Sequence, residues 1–339
     1  MSEIKQILKE LTEADGLGGL TDALDVAESY LSQYASVRRS GLSLIGEIKG
    51  DSDYTVLLDA HIDQIGMVVT SVKEGFVRVA AAGGIDRRML AGMKVTIHAS
   101  KTIRGVFCSV PPHLGKSDEV AKINEMYIDT GLSQRAEEII SVGDRVTFEQ
   151  SFSELIGDRV TAKSLDNRAG CAALIRCAEL ISKKKPSCNV VFLLSDLEEL
   201  GGRGAAVESY SIYPDEAVAV DVSFGTALDV PASESGTLGK GAMLGISPVL
   251  SKNVTDRLKA AAESSKAPFQ LEVMGGRTST NADKITYTRG GVPTGLLSIP
   301  LRNMHTPVEV ADIKDIESVA VILAEYVNNC KRRQREKSR

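Results

Sequence analysis

Glu198 and Glu199 stand side by side at the end of a strand-like run and just before Leu200-Gly201-Gly202. The run itself, Cys188-Asn189-Val190-Val191-Phe192-Leu193-Leu194-Ser195, is short, unbroken and rich in branched residues, the pattern of a strand buried on both faces. Open α/β sheets place their sites at the carboxyl ends of such strands. Bare carboxylates there are costly unless a cation or a proton partners them. The pair therefore reads as part of a metal site, with one carboxylate left over for acid–base work.

The chain has four histidines, and two of them lie past buried strands in the same way. His61 follows Leu57-Leu58-Asp59-Ala60 and opens His61-Ile62-Asp63, while His305 lies six residues past Ile299, ahead of Thr306-Pro307. Asp221 ends the run Ala217-Val218-Ala219-Val220, and Asp166 opens a helix. Two histidines with three or four carboxylates suit a pair of borderline ions that take nitrogen and oxygen ligands. One bridging carboxylate, plus a histidine and a carboxylate for each ion, leaves positions open for water and substrate. Two such ions about 3.5–4 Å apart acidify a water and polarise a carbonyl, and a further carboxylate must then take the proton. Glu198 and Glu199 can divide that labour, one ligating and one acting as base. Asp63 can hold the ring nitrogen of His61 that faces away from the metal. His98, in an alternating strand, and His113, in Pro111-Pro112-His113, read as structural or surface residues.

The elements that must position these groups are of two textures. Ile4, Leu8 and Leu11 share one helical face, and a second helix is predicted from about Thr21 to Gln33 after the turn near Gly16 to Gly19. Tyr54 to Ala60 reads as a buried strand. From Met67 to Thr161 short alternating pieces, such as Phe76-Val77-Arg78-Val79 and Lys94-Val95-Thr96-Ile97, are split by Gly, Pro and Asp. That is the pattern of a small β-rich barrel. Helix–strand alternation resumes at Ser164, with strands at Ala217 to Asp221 and Val292 to Ile299 and a last helix carrying Ile316, Val319, Ala320, Leu323 and Val327. The expected fold is α/β, with a mixed, largely parallel sheet flanked by helices. Residues 1–66 and 162–330 form a discontinuous main domain, 67–161 an inserted β-rich domain, and 331–339 a basic, solvated tail.

Composition narrows the partners. A net charge of −5 and 4% aromatic residues with no Trp argue against nucleic acid. Five cysteines with no CxxC pair read as reduced thiols of a cytoplasmic protein. The amino-terminal Met-Ser-Glu-Ile-Lys has no apolar export core, and no apolar stretch is long enough to span a membrane.

The chain resembles the di-metal aminopeptidases that include glutamyl, deblocking and tetrahedral dodecameric aminopeptidases, some members of which carry an endoglucanase label. The resemblance runs through Asp59-Ala60-His61-Ile62-Asp63, Gly83-Gly84-Ile85-Asp86, Ser164-Leu165-Asp166-Asn167, Glu198-Glu199-Leu200-Gly201-Gly202, Ala219-Val220-Asp221-Val222, Leu238-Gly239-Lys240-Gly241 and Asn303-Met304-His305-Thr306-Pro307. It implies a zinc-peptidase-like fold and two divalent ions per subunit, zinc foremost, with cobalt or manganese as alternatives. By the same resemblance His61 and Asp221 bind one ion, Glu199 and His305 the other, and Asp166 bridges them. Glu198 is then the general base, and Asp63 orients His61. The resemblance also implies a cis peptide at Asp166-Asn167, dimerisation through the β-rich insertion, and dimers built into a dodecamer that admits short peptides. The chain departs from the family pattern at Gln64, where Glu is common, and at Asn281, where Asp is common. Two rival functions are a glycoside hydrolase, which needs two opposed carboxyls about 5–9.5 Å apart, and a non-catalytic shell protein. An Arg beside glutamates is usually a structural ion pair; the other reading of Arg203 or Arg277 is a preference for an acidic residue at the cleaved position.

Overall fold

The apolar runs that the sequence marks as strands lie beside one another. A computed structural model of the chain describes residues 3–111, 113–114, 120–228 and 230–330. The basic tail lies outside the described residues. The strand Thr55–His61 is flanked on one side by Asn189–Ser195 and on the other by Glu216–Phe224, which in turn pairs with Thr294–Leu301; all three pairings are parallel. These are the runs buried on both faces, as parallel strands must be when helices cover both sides.

The sheet is mixed rather than largely parallel: of its seven adjoining pairs, four are parallel and three antiparallel. The departures lie off the centre. A hairpin, Ser36–Ser40 with Ser43–Ile48, adds one edge, and its second strand runs antiparallel to Asn189–Ser195. Ala242–Ile246 runs antiparallel to Thr294–Leu301 on the other side and carries the parallel edge strand Phe269–Val273. A hairpin needs only a tight turn, whereas each parallel neighbour needs a crossover.

One face of the sheet is covered by Glu3–Glu13, Leu165–Ser182 and Ile313–Asn328, whose apolar stripes share a core with Leu58, Phe192 and Val220. The other face is covered by Arg203–Ile212 and Asn281–Thr286 over Leu57, Leu193 and Ala217. A second core of its own fills a closed six-stranded antiparallel barrel, whose strands run from Gly66–Lys73 to Arg145–Phe148. A small third sheet pairs Arg159–Ala162 with Glu309–Asp312, setting Ala162 opposite Glu309.

A candidate metal centre at the strand ends

Parallel register brings the chemical residues to one edge of the sheet. Ser195 is the register partner of His61 on neighbouring strands, so the turn carrying Glu198 and Glu199 begins beside His61. That turn is tight: Leu197, Gly201 and Gly202 all have positive φ, and Gly202 N–H donates to Leu197 O at 2.9 Å. Gly201 at φ +107° is where a side chain would be most strained. Asp166 sits at the start of its helix in non-helical backbone (φ −78°, ψ 102°), after a left-handed Ser164 and before the cis peptide to Asn167. Asn167 Nδ2 donates to Val220 O at 2.8 Å, which ties this corner to the residue before Asp221.

His61 Nε2 lies 3.1 Å from Asp166 Oδ1 and 3.7 Å from Asp221 Oδ1. His305 Nε2 lies 3.4 Å from Asp166 Oδ2 and 3.6 Å from Glu199 Oε2. The ligand atoms of His61, Asp166 and Asp221 fall within 4.8 Å of one another, and so do those of Asp166, Glu199 and His305. Asp166 belongs to both groups and turns one oxygen to each histidine. Glu198 is in neither group, but His61, Asp166 and His305 all act on its carboxyl.

Burial dominates the electrostatics of the cluster. Burial, with the Asp166 charge nearby, pushes Glu199 up to about 8. Burial likewise raises Asp221 far above the usual carboxylate range and raises Glu198. Against the pull of its burial, hydrogen bonds from His305 and His61 hold Asp166 low. Among the described residues neither Glu198, Glu199 nor Asp221 is paired with a lysine or arginine. Buried carboxylates without such partners call for a cation, and mixed nitrogen–oxygen donor sets of this kind suit divalent transition metals. The donor set therefore fits a metal.

Two residues brace the candidate ligands. Asp63 accepts hydrogen bonds from the backbone N–H groups of Glu198 (3.1 Å) and Glu199 (3.2 Å), and its Oδ1 is 3.3 Å from His61 Nδ1, at an angle short of a hydrogen bond. Fully buried Glu309 accepts from Asp166 N–H and from His305 N–H, each at 3.0 Å. Sequence reasoning missed Glu309. Its only signal was an acid four residues beyond His305 that opens a strand.

The barrel also reaches the site. Gly83 and Gly84, just past the barrel strand Phe76–Ala82, pass so close that a Cβ at Gly84 would stand 2.8 Å from His305 Nδ1 and one at Gly83 3.3 Å from Glu199 Oε2. His98 instead contacts Thr147 (2.9 Å) and Asp15 (3.4 Å), and His113 is exposed; neither joins the cluster. Gln64 Oε1 accepts from Gly16 N–H at 3.1 Å and lies 3.5 Å from the guanidinium of buried Arg168. Asn281 Nδ2 donates to Asp59 and to Ser195 Oγ, each at 2.9 Å.

Residues 43–322 match the family model described as M42 glutamyl aminopeptidase. This chain belongs to the M42 family. A putative aminopeptidase of Acetivibrio thermocellus is 31% identical over 332 residues, covering 95% of this chain and 97% of that one. The lysyl aminopeptidase of Pyrococcus furiosus is 30% identical over 328 residues, covering 92% and 93%. The TET1 peptidase of Pyrococcus horikoshii, a protein described as assembling into a tetrahedron or a large octahedral shell, superposes with a TM-score of 0.85 at 27% identity over 96% of this chain and all of that one. As an M42 member the protein is an aminopeptidase, an enzyme that hydrolyses peptides from the amino terminus. No described helix is long and apolar enough to cross a membrane.

Proposed function

We propose that the enzyme binds two divalent ions, zinc foremost with cobalt or manganese as alternatives, and releases the first residue of short peptides with Glu198 as general base. The observation that carries this reading is the sharing of Asp166 by two histidine–carboxylate groups. His61, Asp166 and Asp221 would hold one ion, and Asp166, Glu199 and His305 the other. When bound, the ions supply Lewis acidity that acidifies water and polarises the scissile carbonyl. Glu198 takes the proton of the attacking water and returns it to the leaving amine. Asp63 and Glu309 keep the ligand backbones from drifting, as residues behind metal ligands do. The glycoside hydrolase alternative leaves the two histidines, each set among carboxylates, without a role.

The same reading divides the chain into a zinc-peptidase-like catalytic domain, 1–66 with 162–330, and an inserted dimerisation domain, 67–161. Exposed apolar residues on that insertion, among them Phe76, Val106 and Val142, support a self-association surface. Dimers built into a dodecamer in the cytoplasm complete the proposal, in line with the assemblies described for the Pyrococcus horikoshii peptidase. The preferred residue is not set by family, since relatives are named for glutamyl and for lysyl substrates.

The test is Glu198→Gln, assayed on aminoacyl chromogenic substrates beside N-acetylated controls. Loss of a general base lowers kcat by about 10²–10⁴-fold, while the variant should keep its metal content. A variant that retains more than a tenth of parental kcat would remove Glu198 from the role of base. Cleavage of the N-acetylated controls at parental rate would remove the free amino terminus from recognition.

A further inference from the structure

A cavity of about 370 Å³ opens beside the metal centre. Two of its lining residues are chain neighbours of proposed ligands: Val222 follows Asp221 and Met304 precedes His305. Phe224, Met243, Leu271 and Met304 give it an apolar wall, and Ser223, Ser235 and Thr278 are among its polar lining. Glu272 also lines it. This residue belongs to the edge strand Phe269–Val273, yet its side chain reaches back across Ala242–Ile246 to Ser298, whose Oγ donates to Oε2 at 2.6 Å. Ser298 is the register partner of Asp221 on one side and of Met243 on the other. The Glu272 carboxylate is therefore hydrogen-bonded to the residue that stands one strand over from Asp221.

We propose that Glu272 selects a cationic side chain, lysine or arginine, on the residue that is cleaved. The proposal rests on the reading above that the peptide's amino-terminal residue lies at the metal centre. Glu272 is mostly buried, and among the described residues it takes part in no ion pair. Burial raises its pKa, so a cation beside it supplies what the protein does not. The one positive charge in the lining, Arg277, is exposed and leans on Asp283 at 3.6 Å. Asp283 is itself held by the backbone N–H groups of Thr278 and Ser279, each at 3.0 Å. Arg277 is thus compensated by a fixed anion, whereas Glu272 is not. The methylenes of a lysine can lie along the apolar wall while its ammonium meets the carboxylate. An aspartyl or glutamyl side chain would meet Glu272 as a like charge.

The experiment measures kcat/KM of the metal-loaded enzyme on lysyl, arginyl, leucyl, glutamyl and aspartyl substrates, with Glu272→Gln and Arg277→Ala in parallel. Hydrogen bonds to a charged group correspond to about 10–100-fold in kcat/KM. The parent should favour lysyl over leucyl by about that factor. Glu272→Gln should erase the preference by lowering lysyl kcat/KM about 10–100-fold, while its amide oxygen can still accept from Ser298. Inhibition by free lysine against norleucine, which lacks only the terminal amine, tests the same point on the parent enzyme should the variant fold poorly. Equal inhibition by the two amino acids, or a parental preference for leucyl substrates, would overturn the proposal. A glutamyl preference lost in Arg277→Ala would overturn it too, in favour of Arg277. Release from none of the five substrates would instead sink the metal-centre reading on which the proposal stands.

Discussion

Glu309→Gln isolates the brace behind the proposed metal centre without replacing a proposed ligand. Each oxygen of Glu309 accepts one backbone N–H, from Asp166 and from His305, at 3.0 Å. Glutamine keeps the shape and one acceptor, but sets an NH2 group against the other N–H, donor facing donor. The site is fully buried, so no water relieves the mismatch. Burial and the nearby Asp166 charge raise the Glu309 pKa well above the usual carboxylate range, so the uncharged scale applies: a lost hydrogen bond contributes about 0.5–1.5 kcal/mol, and a stranded buried N–H costs about 1–3 kcal/mol. If the backbone relaxes enough to recover part of this, a net loss of about 2 kcal/mol remains, close to 30-fold in an equilibrium constant. That agrees with the 10–100-fold loss of metal affinity or activity common for groups behind metal ligands. The measurements are metal content after dialysis against graded chelator, and kcat/KM at saturating metal. Weaker retention of metal with an intact thermal transition is the expected result. Metal retention and kcat/KM both within twofold of the parent would refute the bracing role and the bond energies used to derive it.

Further outcomes follow from other contacts. Gly84→Ala places a Cβ 2.8 Å from His305 Nδ1, and the overlap should lower kcat/KM by about 5–100-fold, an overpacking cost of 1–3 kcal/mol; unchanged kinetics would show that the loop yields freely. Gln64→Glu gives buried Arg168 a carboxylate partner and removes a buried amide NH2 that has no hydrogen-bond partner among the described residues. It should raise Tm by about 2–4 °C, the scale of 1 kcal/mol, read by calorimetry. Stripping the metal with chelator should lower Tm, since a ligand at 100 times its Kd contributes about 2.7 kcal/mol, and reloading should restore it; a Tm indifferent to chelator would count against a bound ion. His98 has its pKa lowered chiefly by burial. The unfolded chain therefore binds a proton there that the folded chain resists, so stability is present above pH 6.5 and falls as pH drops through the lowered value. A His98→Gln variant should show a shallower acid decline in Tm.

Much of this was legible in the sequence because carboxyl ends of buried strands converge. His61, Glu198, Glu199 and Asp221 each lie at or just past the end of a strand built on an apolar run, and parallel register then places them together. Asp166 reads from sequence as the polar start of a helix, but its φ/ψ are not helical; that corner depends on Asn167 reaching Val220 O, a contact 53 residues away. Glu309 was illegible for a related reason. Its importance depends on the pairing of Glu309–Asp312 with Arg159–Ala162, and nothing local announces that partner. The direction of the outer strands was equally hidden. Apolar runs such as Ala242–Ile246 look alike whether they enter a sheet parallel or antiparallel, and the choice lies in the connections. Glu272 sits on an exposed-looking edge strand, and only its reach across a neighbour to Ser298 brings it to the cavity.

The close passage of Gly83 and Gly84 beneath His305 and Glu199 has a consequence for engineering. The barrel has its own apolar core and looks like a removable cassette. Yet backbone just past a barrel strand forms part of the floor of the proposed metal centre, and Asp86 N–H bonds to His305 O at 3.2 Å. Excising 67–161 and closing the gap with a linker would delete that floor along with the cassette. Exchanging the barrel for one of another relative would carry a foreign glycine loop into contact with the second histidine. Grafts meant to alter self-association should therefore leave 83–86 in place and join the foreign sequence beyond it.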